Sequence, residues 1–169
     1  HWRDLIAFTW NLQTASGAQA IEAQLARTLA VARPRNLRIA PQRTQPRLIK
    51  RAGVETIEAI LALDTAHGPA SGVLRLVPAP DHPDQLRAWV LLTALDDISG
   101  HEQRMGSRRP RGEEWSGGFG SENWMDVRNR QLTYEDREPT VVVVGGSQSG
   151  LGIAACLGVL GVDTLVVDK

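Results

Sequence analysis

The residues best placed to do chemistry lie near the end of the chain, in Gly145-Gly146-Ser147-Gln148-Ser149-Gly150, with Asp168 following after a helix-length stretch. Glycines at this spacing let the backbone turn tightly and bring a helix N-terminus close to a ligand. The free N–H groups and positive dipole end there attract a pyrophosphate. An acid about 20 residues further on can accept hydrogen bonds from ribose hydroxyls. The chemistry these residues could do is to hold a dinucleotide, with Gly145, Gly146, Ser147, Gln148, Ser149 and Gly150 at the phosphates and Asp168 at a ribose. One position departs from the glycine pattern. Ser147 stands where a second glycine normally lets the backbone approach the phosphates, so its side chain either crowds the pyrophosphate or donates its hydroxyl to it.

Those residues need two strands and a helix to position them. Val141–Val144 is a β-branched run without alternation, which predicts a parallel strand buried on both faces. Residues 150–160 carry Ile153, Leu157 and Leu160 at i, i+4 and i+7, which predicts a helix packed on the sheet, with Gly161 at its C-terminal cap. Thr164–Val167 reads as a second buried strand ending at Asp168. Strand, glycine turn, helix, strand and acid in this order predict the start of a Rossmann-type α/β domain over residues 139–169.

The preceding residues read differently. Over residues 2–32, Trp2, Leu5, Ile6 and Trp10 form one stripe at helical spacing, and Ile21, Leu25 and Leu29 form another. Two helices are expected, with Ser16 capping the second and Pro34 ending it. Residues 37–40, 46–51, 56–64, 72–78 and 86–95 then read as strands separated by turns. Residues 1–99 are thus expected to form an α+β domain, a curved antiparallel sheet whose concave face is covered by helices. Residues 100–138 show no sustained period and read as a linker or arm. Its Trp115, Phe119, Trp124 and Met125 argue for packing against the neighbouring domain rather than disorder.

Composition narrows the function classes. Nineteen Lys+Arg balance nineteen Asp+Glu, which removes the electrostatic basis for general nucleic-acid or anionic-membrane binding. Apolar runs are too short to span a bilayer, so a cytoplasmic protein is expected. Cys156 has no second cysteine to pair with and reads as a small buried hydrophobe. His67, His82 and His101 lack the clustering a metal site needs and read as solvated, so no metal is assigned. Asp96 and Asp97 are adjacent in an exposed turn, without the placement for joint acid–base work. Arg104, Arg108, Arg109 and Arg111 are flanked by Glu102, Glu113 and Glu114 and read as an ion-paired arm. Trp2 and Trp10 read as core or interface anchors.

The stretch from Arg137-Glu-Pro-Thr through Gly145-Gly146, the following Gln148-Ser-Gly-Leu and the close in Gly161-Val-Asp-Thr-Leu-Val-Val-Asp168 resemble the flavin-containing monooxygenase-like FAD/NAD(P)-dependent oxidoreductases. More narrowly, they resemble the subgroup with a SnoaL-like domain in front. Residues 2–10, Ser16-Gly17 and residues 93–112 are similar to that front domain and its exit, and Asn123-Trp-Met-Asp-Val-Arg128 to the arm leading into the FAD domain. The resemblance implies a SnoaL-like α+β cone followed by the first βαβ unit of an FAD-binding domain. Gly145, Ser147 in the glycine's place and Gly150 would hold the FAD pyrophosphate, and Asp168 the adenosine ribose. It also implies a small-molecule substrate oxygenated by way of reduced flavin and O2, an NADPH site beyond Lys169, and a front portion that is itself inactive. A homodimer through the N-terminal domain is the association it allows. Two alternatives stand beside it: a non-catalytic interaction module with a vestigial dinucleotide motif, and an FAD-dependent reductase of the disulfide-reductase type. The latter requires a cysteine pair that these residues do not contain.

Overall fold

The computed structural model describes residues 1–109, 120 and 122–169. The chain divides into two compact units, His1–Gly100 and His101–Lys169. Among the described residues they make an α+β protein with a seven-stranded mixed sheet in the first unit, a two-stranded parallel sheet in the second, and three α-helices.

In the first unit, strands β1 (Trp2–Leu5), β2 (Leu12–Ala15), β3 (Arg35–Ile39), β4 (Arg47–Arg51), β5 (Val54–Asp64), β6 (Pro69–Pro78) and β7 (Leu86–Leu95) accompany one helix, α1 (Ala18–Ala32). The sheet runs β2-β1-β7-β6-β5-β3, and β4 also pairs with β5. The sheet is mixed, not antiparallel as expected, because β1 lies parallel to β7 with Trp2 opposite Leu91 and Asp4 opposite Thr93. The long strands β5 to β7 form an antiparallel meander, with Gly72 opposite both Leu61 and Thr93. A Cβ on Gly72 would lie 2.7 Å from the Leu92 carbonyl oxygen, so only glycine fits there.

The helix expected over the first ten residues is absent. Trp2 and Asp4 are buried while Arg3 is exposed, the period of a strand. The chain then reverses through a loop in which Ile6 and Trp10 take left-handed backbone angles. Asp4 fixes that loop. Its Oδ2 accepts from the Phe8 and Thr9 N–H groups and the Thr9 hydroxyl, at 3.0, 2.9 and 2.7 Å. These backbone donors could not serve a helix ladder as well. The apolar spacing that suggested a helix comes from residues on opposite sides of a strand and its loop.

Helix α1 forms as expected, with Ile21 and Leu25 packed against a core of Trp2, Ala7, Phe8, Ala32, Leu63 and Ala70. Trp2 and Phe8 meet edge to face, with centroids 5.4 Å apart. Its N-cap, however, is Gly17, with no side-chain cap. Ser16 instead hydrogen-bonds the His1 ring at 2.8 Å. Arg33 closes the helix in a left-handed conformation, its N–H donating to the Leu29 carbonyl, and Pro34 prevents any continuation.

The second unit contains a short 3-10 turn (Gly106–Arg108), α2 (Trp124–Thr133), β8 (Val141–Val144), α3 (Gln148–Val159) and β9 (Thr164–Val167). Helix α2 lies where no regular element is expected. Its N-terminus is built by a capping box, in which the Asn123 side chain accepts from the N–H groups of Met125 and Asp126 while Asp126 reaches back to the Asn123 N–H. Trp115 and Phe119 lie outside the described residues, whereas Trp124 and Met125 are exposed. Strands β8 and β9 pair in parallel, Val141 opposite Thr164 and Val144 opposite Val167. β8 is not buried on both faces, since Val142 and Val144 are 51% and 85% exposed. Among the described residues, no helix is long and apolar enough to cross a membrane.

Candidate functional site

The glycine turn joins β8 to α3. Gly145 has φ +106°, a conformation side chains rarely adopt, and its N–H donates to the Val167 carbonyl at 2.8 Å. This bond ties the start of the turn to the end of β9, which brings Asp168 alongside. A Cβ on Gly146 would lie 2.8 Å from Asp168 Oδ2, so the carboxylate rests against the bare backbone of Gly146. Gly150 is buried, and a Cβ there would run into the Gly145 carbonyl oxygen and lie 3.3 Å from Val143 Cγ1. Glycine at 150 is what lets α3 seat under the turn.

Ser147 is the N-cap of α3, with φ −69° and ψ 177°. Those angles suit any residue, so the backbone places no demand for glycine at this position. Its hydroxyl makes no capping bond, and its carbonyl accepts the first helical bond, from Leu151 at 2.9 Å. The N–H groups of Gln148 and Ser149 have no partner within a helix that begins there, and both residues are exposed. The structure thus brings Gly145, Gly146, Ser147, Gln148, Ser149, Gly150 and Asp168 to one end of the parallel pair. The arrangement combines an open helix N-terminus with a carboxylate at the neighbouring strand end, a combination that can hold an anion and a vicinal diol side by side.

Helix α3 starts at Gln148, two residues before the expected start, and turns toward the strands through Gly150, Ala154 and Leu157; Ile153 is exposed. Cys156 is exposed rather than buried. At the far end the C-cap is Leu160. Gly161, at φ +73°, donates to the Gly158 carbonyl, and Val162 donates to Leu157, a complete Schellman closure. Arg104, read as part of a solvated arm, donates its backbone N–H to Val159 at 2.7 Å. Its guanidinium lies over Gly161, where a positive charge complements the carbonyl end of α3.

A second cluster gave no signal in the sequence. Asp163 accepts from the Tyr134 hydroxyl at 3.0 Å and from Arg137 Nε at 3.0 Å, and the Arg137 guanidinium stacks 4.3 Å from the Tyr134 ring centre. Burial, followed by the Asp163 hydrogen bond, raises the Tyr134 phenol pKa, while the Arg137 hydrogen bond lowers that of Asp163. These residues line a cavity of about 280 Å³ beside β9 with Arg128, Gln131 and Leu132.

The first unit has two polar centres of its own. Asp4 is fully buried, and its Oδ1 accepts from the Thr93 hydroxyl at 2.6 Å, while that hydroxyl accepts from Trp2 Nε1 at 2.9 Å. Glu58, also buried, meets Arg75 at 2.9 Å and Arg47 and Arg51 at 3.3 Å. Hydrogen bonds from Arg51 and Arg75, and then Arg47, outweigh burial and hold its carboxyl at about 2. His67 is not simply solvated, since Trp10 Nε1 donates to its Nε2 at 3.1 Å. Among the described residues, no group of three or more His, Cys, Asp or Glu could hold a metal ion. No protein-family model matches the chain, and no curated protein matches it.

Proposed function

We propose that the second unit is the opening βαβ element of a Rossmann-type FAD-binding domain, that the first unit is a SnoaL-like cone, and that both serve an NAD(P)H-using flavin monooxygenase acting on a small organic molecule. The observation that carries this reading is the seating of the Asp168 carboxylate against Gly146, on the far side of a turn whose Gly150 admits no side chain. Bound FAD would supply reduction by NAD(P)H and activation of O2. The N–H groups of Gln148 and Ser149 would meet its pyrophosphate, and Asp168 would accept from the adenosine ribose hydroxyls. Ser147 places its free hydroxyl at the same helix end, so it supports phosphate contact as a donor. Its Cβ sets how closely the backbone approaches.

The test is uptake of added FAD by the full chain, followed by quenching of flavin fluorescence. FAD is expected to bind weakly, because one βαβ element is only part of a doubly wound domain, and FMN, which lacks the pyrophosphate and adenosine ribose, is not expected to bind. Asp168→Ala is expected to weaken FAD binding about ten-fold, the loss of charge-assisted hydrogen bonds. Equal binding of FMN, or indifference to Asp168→Ala, overturns the assignment. The competing reading as an interaction module draws on the exposed β8 valines. Absence of any FAD uptake, with the chain folded, favours it.

A further inference from the structure

Between α1 and the sheet of the first unit lies a cavity of about 310 Å³. Its wall is apolar, built by Phe8, Leu25, Leu61, Leu63 and Leu91 among others, and Gly72 leaves its floor open where any side chain would strike the neighbouring strand. The volume is at the lower end of the range that holds small ligands. Among the described residues, two side chains with polar atoms line it, Thr93 and Arg35. The Thr93 hydroxyl donates to Asp4 and accepts from Trp2. The inner polar lining is therefore already satisfied. Arg35 is exposed and alone brings charge to the lining. Asp64, its register partner on β5, is engaged by Asn36 Nδ2 at 2.7 Å.

From this polarity we infer that the cavity binds a small amphipathic organic acid, its hydrocarbon body against the leucines and its carboxylate at Arg35. The site is separate from the dinucleotide turn and independent of the flavin reading.

Isothermal titration calorimetry of the full chain with decanoate and with 1-decanol tests the assignment. Decanoate is expected to bind at one site and more tightly than decanol. Arg35→Gln, an exposed change, is expected to weaken decanoate about ten-fold while leaving decanol unaltered. Leu29→Trp, at a half-exposed position on the cavity rim, is expected to remove binding of both without lowering the thermal midpoint. Failure of decanoate to bind overturns the inference, as does decanoate binding unchanged by Leu29→Trp. Equal affinities for the acid and the alcohol, unchanged by Arg35→Gln, overturn the assignment of an acid. Loss of FAD uptake in a separate titration has no bearing on any of these outcomes.

Discussion

In the His1–Gly100 unit Trp2, Asp4 and Thr56 are fully buried, whereas in the His101–Lys169 unit Gly150 alone is buried among the described residues. The first unit is held by side chains that fill space and satisfy one another. The second is shaped by a residue that lacks a side chain, and by caps at the ends of its helices. A unit of the first kind loses stability when a group is removed. A unit of the second kind loses its form when an atom is added.

The largest expected effect follows from removing a group in the first unit. Asp4→Ala takes the acceptor from the buried Phe8 N–H and Thr93 hydroxyl and from the half-buried Thr9 N–H, at a cost of about 3–5 kcal/mol. Chemical denaturation followed by tryptophan emission should show the first unit unfolding while hydrogen exchange in β8 and β9 is unchanged. A cost under about 1 kcal/mol would break the contrast.

Adding one carbon to the second unit is expected to come next. Gly150→Ala puts a methyl group into the Gly145 carbonyl, an overpacking cost of about 2 kcal/mol. Protection of β8 and β9 amides should fall, while the denaturation midpoint of the first unit stays fixed. Unchanged exchange would show that α3 is not seated by that glycine.

The three-arginine grip on Glu58 sharpens the comparison through pH. Its carboxyl is lowered from 4.5 to about 2. The stability it contributes is thus fully present above about pH 4.5 and is lost as pH falls toward about 2. Because the arginines are partly exposed to solvent, the contribution is about 2 kcal/mol. Glu58→Gln should flatten the acid limb of the first unit's stability profile; an equally steep limb would assign it to other carboxyls.

The smallest effect concerns the second cluster. The chain has one tyrosine, so ultraviolet absorbance at high pH reads Tyr134 alone. Its phenol should titrate above the ordinary value of 10.0, and Asp163→Asn should bring it down. An unmoved titration in the variant would mean that burial alone sets it.

The same contrast explains what could be read from the residues alone. Period-two patterning located β5 to β7, and the Ile21/Leu25/Leu29 stripe located α1, because there hydrophobic spacing is the determinant. The βαβ order was legible because glycine and acid positions are dictated by backbone geometry. The first hairpin was not, because Asp4 acts through Thr93, which lies far along the chain and next to it only across the parallel β1–β7 pair. Helix α2 carries no buried residue and little apolar periodicity, so the Asn123-x-x-Asp126 capping signal was its only mark. Val142 and Val144 are exposed although their run is β-branched, since such a run records strand preference without saying how many faces are covered.

The pairing of Trp2 with Leu91 also sets a condition on how the first unit comes into being. Strand β1 needs as its neighbour β7, which is made only after β2 to β6. The meander of β5 to β7 can zip through short turns, but β1 must close a loop of nearly the whole unit, a slow, high-contact-order step. During synthesis, β1 and β2 wait without their sheet until β7 has left the ribosome. Until then, Trp2 and Phe8 are surfaces that a chaperone could grasp.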